Sequence, residues 1–215
     1  MKAIIFDMDG VIVNSEPLHF ELERELLKEL GGNISKEEHD KFVGTTDYNM
    51  WTAFRKQFNL KPSVERMIEM KKERFIKSIH RIELIDNFKE FMLTIYNGGY
   101  PMAIASSNNK KAVNEIVKKF DLDRYMKFVI SGEEVNKGKP NPEIFLTAAN
   151  KMNVDPSECL VIEDADNGVK AAKAAGMKCI GLDLGNSGNQ NLSRADLVVK
   201  NFNELSLDIV KGLFK

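Results

Sequence analysis

Two aspartates one residue apart, Asp7 and Asp9, follow the apolar run Ala3–Phe6, and Gly10 closes the segment. Two more acids, Glu163 and Asp164, follow the apolar run Leu160–Ile162. Hydroxyls and amides, Ser106-Ser107-Asn108-Asn109, follow Met102–Ala105. Carboxylates gathered at one mouth must hold protons or hold a cation, because like charges disfavour one another's ionised form. An all-oxygen set with no cysteine or nearby histidine suits Mg²⁺ better than zinc. Mg²⁺ held by carboxylates commonly accompanies phosphate chemistry. Lys139 sits in Gly138-Lys139-Pro140-Asn141-Pro142-Glu143, a loop that two prolines stiffen ahead of a helix. A lysine held there could reach a phosphate or an aspartate.

The elements that must position these groups are short and apolar. Ala3–Phe6, Met102–Ala105, Phe128–Ile130, Leu160–Ile162, Lys178–Leu182 and Leu197–Val199 do not alternate, which suits strands covered on both faces of a parallel sheet. Helical periods lie between them: Phe88, Phe91, Met92 and Ile95; Val113, Ile116, Val117 and Phe120; Ile144, Phe145, Ala148, Ala149 and Met152. The β-α-β-α alternation from about residue 83 predicts a doubly wound α/β fold. In such sheets ligands bind beyond the carboxyl ends of the strands, where the acids, Ser106 and Ser107 would lie.

Residues 15–82 read differently. Leu18, Leu22, Leu26, Leu27 and Leu30 make a helical stripe stopped by Gly31-Gly32. Ser35 and Glu38 resemble a capping box, Asp47 is placed to cap a third helix, and Pro62 fits the first turn of a fourth. Trp51, Phe54 and Phe58 read as core of this helical block. His39 and His80 read as surface residues, and Lys71, Lys72 and Arg74 as a solvated face from which one lysine could line a cleft. The expected division is an α/β core of residues 1–14 and 83–215 with an inserted all-helical cap at 15–82, hinged near Asn14–Ser15 and Ile82–Asp86. Gly185–Arg194 reads as a polar loop.

The 215 residues fit one such domain with an insertion. Lys plus Arg number 31 and Asp plus Glu 32, so there is no basic excess of the kind nucleic-acid binding requires. No apolar run has membrane-spanning length. The two cysteines, Cys159 and Cys179, lie in apolar runs and read as buried thiols; with no signal segment, the cytoplasm is the expected compartment. No apolar stripe is left over, so a monomer is the default.

These residues resemble the motifs of the haloacid dehalogenase superfamily. Asp7-Met8-Asp9-Gly10 resembles the first, Ser106 the second, Lys139-Pro140 the third, and Glu163-Asp164 with Gly168 and the alanine-rich run to Gly176 the fourth. Asn14-Ser15-Glu16-Pro17-Leu18-His19 and the helical insertion resemble the branch of phosphoglycolate phosphatases and beta-phosphoglucomutases. The resemblance implies that Asp7 attacks phosphorus to form an aspartyl-phosphate, and that Asp9 is general acid and then base. It implies Mg²⁺ held by Asp7, the Asp9 carbonyl and Asp164, with Glu163 assisting directly or through water. Ser106, the Ser107 amide and Lys139 would hold the phosphoryl oxygens. The second aspartate favours phosphoryl transfer over carbon–halogen chemistry.

Two positions depart from the pattern. Ala165 stands where the family usually has a hydroxyl, and Asp166 is then expected to cap the following helix. Gly44-Thr45-Thr46-Asp47 stands where a cap loop dips toward the site, and a sugar-phosphate mutase would carry a basic residue there. Thr45, Thr46 and His19 are the candidate substrate contacts from the cap. The leading expectation is a Mg²⁺-dependent phosphatase of a small phosphorylated metabolite, such as a sugar phosphate. A mutase on the same scaffold is the alternative, and a silent binding module the remote one.

Overall fold

The structure is a computed structural model that describes residues 1–42, 45–185 and 190–215. In chain order it runs β1 (Ala3–Phe6), β2 (Val13–Asn14), α1 (Glu16–Glu29), α2 (Lys36–Asp40), α3 (Asp47–Phe58), α4 (Val64–Ser78) and β3 (Glu83–Leu84). There follow α5 (Phe88–Asn97), β4 (Met102–Ala105), α6 (Lys110–Lys119), β5 (Met126–Ile130), α7 (Glu143–Met152) and β6 (Cys159–Glu163). The chain ends with α8 (Asp166–Ala174), β7 (Lys178–Leu182), β8 (Leu197–Val199) and α9 (Leu207–Gly212).

Six strands form one parallel sheet in the order β5-β4-β1-β6-β7-β8. The chain builds outward from β1 on one side and then returns to build outward on the other. The order therefore reverses between β1 and β6, and a crevice opens beyond their carboxyl ends. The register brings Phe6 level with Ile104 and Ile162, so Asp7, Ser106 and Glu163 emerge at one edge.

The apolar runs do not alternate because both faces of the sheet are covered. On one face Ile4, Phe6, Ile104, Leu160, Ile162 and Ile180 meet Phe88, Phe91, Ile95, Val113 and Ile116 of α5 and α6. On the other, Ala3, Ile5, Ala103, Ala105, Val161 and Cys179 meet Phe145, Ala148, Ala171 and Ala172 of α7 and α8. Small residues on the second face let two alanine-rich helix surfaces approach. Both cysteines are free and buried, and burial pushes the Cys159 thiol up to about 11.

Helices α1–α4 form a block with its own core of Leu26, Leu27, Trp51, Phe54 and Met67, while Leu18, Leu22 and Phe75 pack with the main core. Gly31, at φ +96°, ends α1 in a conformation that favours glycine. The Ser35–Glu38 capping box forms as expected. Two expected boundaries shift by a residue or more. Thr46 rather than Asp47 caps α3, its Oγ1 accepting from the Asn49 N–H, so Asp47 occupies the first helical position. Ser63 caps α4, leaving Pro62 outside the helix.

At the two expected hinges β2 and β3 pair antiparallel, Val13 with Leu84 and Asn14 with Glu83. Two-residue strands have no period to read. Beside them Lys119 of α6 donates to the carbonyls of Ile79, His80 and Ile82. Of the expected Gly185–Arg194 loop, residues 186–189 lie outside the described residues, as does Gly44 of the cap-loop motif. Among the described residues no helix is long and apolar enough to cross a membrane.

Candidate active site

Asp7 continues the parallel register one residue beyond β1, its N–H donating to the Ile162 carbonyl at 3.0 Å. Its carboxylate is thereby delivered beside those of Glu163 and Asp164. These three buried acids each offer an oxygen, and the oxygens all lie within 4.8 Å of one another. Two glycines make room for them. A Cβ on Gly10, which sits at φ +78°, would fall 2.0 Å from Asp164 Oδ2. A Cβ on Gly168 would fall 1.7 Å from Glu163 Oε1.

Lys139 closes the cluster. Its Nζ donates to Asp7 Oδ1, to Glu163 Oε1 at 2.7 Å and to the Ala105 carbonyl at 3.1 Å, which uses all three of its protons. Glu163 Oε2 accepts the Ala165 N–H at 2.9 Å. A backbone amide thus supports the acid at the position where the family pattern has a hydroxyl. Asp166 does not cap α8. It is the first helical residue and pairs with Lys170 at 2.5 Å, while Gln190 Oε1 accepts the Asp166 N–H at 3.0 Å.

Burial pushes the Asp7 carboxyl up to about 8, opposed by Lys139 and reinforced by Glu163 and Asp9. Burial likewise works against the charge on Lys139, but Asp7 and Glu163 outweigh it and raise the ammonium above its ordinary value. Three acids and one ammonium leave an excess of negative charge. The all-oxygen donor set fits a hard cation such as Mg²⁺. Lys139 and the Ala165 amide engage both Glu163 oxygens.

Asp9 turns away from the trio. Its Oδ1 accepts from Ser15 Oγ at 2.6 Å and its Oδ2 from Asn108 Nδ2 at 2.7 Å, and His19 Nε2 lies 3.9 Å from Oδ1. Desolvation acts to raise this carboxyl, but His19, Ser15 and Asn108 together hold it below the usual range. The His19 ring stacks on Phe75, centroids 4.3 Å apart and planes within 5°. Ser106 is fully buried, its Oγ accepting the Asn108 N–H at 3.1 Å, and the adjacent cavity wall is formed by Ser107 and Asn108.

The cavity above these groups has a volume of about 520 Å³, and helices α1–α4 with Phe42, Thr45 and Thr46 form its far wall. Thr45, Thr46 and His19 all line it. This wall holds the main departures from expectation. Lys71 is no solvated surface residue: only 7% exposed, it pairs with Glu23 Oε1 at 2.7 Å and Asp47 Oδ1 at 3.0 Å. His39, expected at the surface, is 5% exposed, with its Nε2 2.5 Å from Glu23 Oε2. His80 is exposed as expected, and Arg74 pairs with Glu29.

Desolvation opposes the charge on both Glu23 and Lys71, yet each is held ionised by the other. Glu23 is pulled down to about 2 by Lys71 and His39. Lys71 is raised above the ordinary lysine value by Glu23 and Asp47. Burial pushes Glu16, on the same wall, upward.

The sequence carried a signal for this cluster. Glu16, His19 and Glu23 are spaced three and four apart, and so share one face of α1. Lys71 lies four residues from both Met67 and Phe75, within the buried stripe of α4. A lysine in an apolar stripe is rarely buried without a partner. Ser15 and Asn108 had no such signal, because their role depends on where Asp9 points.

Comparison with known proteins agrees with this geometry. The chain is 32% identical over 184 residues to a phosphorylated carbohydrates phosphatase of Thermotoga maritima, covering 84% of each chain. It is 29% identical over 225 residues to the beta-phosphoglucomutase of Bacillus subtilis, covering 98% of this chain and 94% of that one. A solved beta-phosphoglucomutase from Clostridium difficile superposes with a TM-score of 0.82 at 26% identity, covering all of this chain and 97% of that one. A family profile matches residues 4–182, which span every acid of the cluster and the whole helical segment. The chain is therefore a member of the haloacid dehalogenase-like hydrolase family.

Proposed function

We propose that this protein is a phosphomonoester hydrolase that uses Mg²⁺, acts on a phosphorylated carbohydrate and proceeds through an aspartyl-phosphate on Asp7. The observation that carries this reading is the division of labour between two neighbouring aspartates. Asp7 faces Lys139, Glu163 and Asp164, whereas Asp9 is held apart by Ser15, Asn108 and His19. One carboxylate is thus set for bonding to phosphorus and the other for moving protons.

Asp7 attacks phosphorus as its carboxylate, the form that Lys139 favours against burial and that a bound Mg²⁺ would favour further, and the phosphorus–oxygen bond to the leaving group breaks while Asp9 donates a proton to that oxygen. Asp9 is held ionised at rest, the form it needs in the second half of the cycle. A phosphate monoester bound as its monoanion brings the proton for the first half, since its second pKa is about 6. Asp9 then takes a proton from the water that attacks phosphorus, which releases inorganic phosphate and regenerates Asp7. Lys139, Ser106 and the Ser107 amide hold the phosphoryl oxygens, and Lys139 offsets repulsion between nucleophile and substrate. Asp7, the Asp9 carbonyl and Asp164 would hold Mg²⁺, with Glu163 behind them, and the ion supplies charge neutralisation of the transferring phosphoryl group. Residues 15–82 act as a cap that closes over residues 1–14 and 83–215 and keeps bulk water out. Thr45, Thr46 and His19 face the substrate from it.

The mutase reading is held open by the likeness to beta-phosphoglucomutases over nearly the full chain. Against it stands the cap wall, where, among the described residues, the one lysine is already bridged by two acids. The deciding experiment measures phosphate release from a panel of sugar and polyol phosphates, with Mg²⁺, with chelator and with Asp7→Asn. Included in it is beta-glucose 1-phosphate with a trace of bisphosphate, assayed for glucose 6-phosphate. Mg²⁺-dependent release that vanishes in Asp7→Asn supports the phosphatase; isomerisation without net release supports the mutase.

A further inference from the structure

The far wall of the cavity has a charge pattern of its own. Glu16, Glu23 and Asp47 place three carboxylates there, and Lys71 is the one lysine on that wall among the described residues. Two of the three Lys71 protons are committed, at 2.7 Å to Glu23 and 3.0 Å to Asp47. The histidines do not reverse the balance. His39 is bonded to Glu23 and His19 faces Asp9, so even with both rings protonated the wall's cations only match its carboxylates. Residues 43–44 and 186–189 are Val-Gly and Asn-Ser-Gly-Asn and bring no charge.

A second anionic group on a bound phosphate ester would therefore meet acids at this end, with one lysine shared between two of them and without the metal ion that would offset the acids at the sheet edge. Hydroxyls would meet acceptors. A carboxylate has about four lone-pair sites, so Asp47 keeps acceptor capacity after pairing with Lys71. A cavity lined by acceptors favours ligands that donate to them over those that repel them.

We infer that the Glu23–Lys71–Asp47 cluster selects substrates by charge: the cavity takes phosphate monoesters whose remaining part is a neutral polyol, and turns away those carrying a second phosphate or a carboxylate. This deepens the phosphatase reading and rests on it for the orientation of the ester, phosphate toward Asp7 and polyol toward Asp47. Asp47 is the switch in the cluster. It is partly exposed, it sits at the start of α3, and its loss frees one proton of Lys71 for an anion while Glu23 keeps the lysine in place.

The test measures binding, so it is independent of turnover. Asp7→Asn protein in Mg²⁺ is titrated calorimetrically with a hexitol 1-phosphate, a hexose 1,6-bisphosphate and phosphoglycolate. The hexitol phosphate is expected to bind about tenfold or more tightly than either of the others. Adding Asp47→Asn is expected to narrow the gap to the bisphosphate by about tenfold, with the melting temperature confirming that the variant folds. Bisphosphate binding as tight as that of the hexitol phosphate, no hexitol phosphate binding, or a gap unchanged by Asp47→Asn would overturn the inference. Phosphate release by the unmodified protein separates the two readings. Equal release from all three esters leaves the phosphatase standing and removes charge selection. The expected binding order without release from any ester does the reverse.

Discussion

The two ends of the cavity are built on one plan and differ in what it does. At the sheet edge Lys139 bridges Asp7 and Glu163; on the helical wall Lys71 bridges Glu23 and Asp47. Each lysine side chain is less than a tenth exposed, and each is held ionised by its acids against the cost of desolvation. At the sheet edge a third acid, Asp164, lies beside them, in an all-oxygen set that suits a hard cation. On the helical wall the second acid, Asp47, is partly exposed and lines the cavity. In the proposed function one bridged lysine helps build a centre that handles phosphoryl charge, and the other is silenced so that hydroxyls rather than anions are preferred.

The sharpest way to break the comparison is at its reactive member. Asp7→Asn should lower phosphate release by about 10⁴-fold or more while the protein stays folded, as read from initial rates and circular dichroism. Lys139→Met should lower kcat by about 10²–10³-fold, since it removes a charge aimed at the transferring group. Lys71→Met should behave differently. It should cost about 3 kcal/mol of stability by leaving Glu23 buried without its ammonium, and move KM more than kcat. Denaturant unfolding and steady-state kinetics on both variants would show whether the two lysines truly differ in role.

Acid titration separates the ends further. Glu23 is held at about 2 against a usual glutamate value of 4.5. A carboxyl lowered on folding contributes stability that is fully present above pH about 4.5 and lost as pH falls toward 2. The contribution is about 3 kcal/mol by linkage, and Glu23→Gln should flatten that limb of the melting temperature against pH. The smallest effect belongs to the frame of the wall. Thr46→Ala removes the N-cap of α3, which carries Asp47, and should cost about 1 kcal/mol of stability, as read from denaturant unfolding.

The sheet edge was legible in the sequence because a parallel sheet delivers whatever follows each strand to one crevice. Asp7-Met8-Asp9, Ser106-Ser107 and Glu163-Asp164 each follow an apolar run, so reading the runs read the site. Gly10 and Gly168 fell within the same motifs, and their reason is steric contact with Asp164 and Glu163. The helical wall was harder. Lys71, Glu23 and His39 come from three helices whose mutual packing no local pattern encodes, and surface exposure was the wrong expectation for two of them. The clue was present as a lysine in the Met67–Phe75 stripe, but its partner lies 48 positions away on α1. The ribbon of β2 and β3 stayed invisible for the opposite reason, since two residues are too few to show a period.

The central claim is that Asp7, and not Asp9, bonds to phosphorus. The most direct measurement mixes the Mg²⁺-loaded protein with a turned-over polyol phosphate, quenches it in acid within one turnover, and reduces it with borohydride. Peptide mass mapping then locates the homoserine left by an aspartyl-phosphate. Homoserine at position 7 with Asp9 intact is the predicted result; homoserine at position 9, or phosphate release at full rate with neither residue modified, would contradict it.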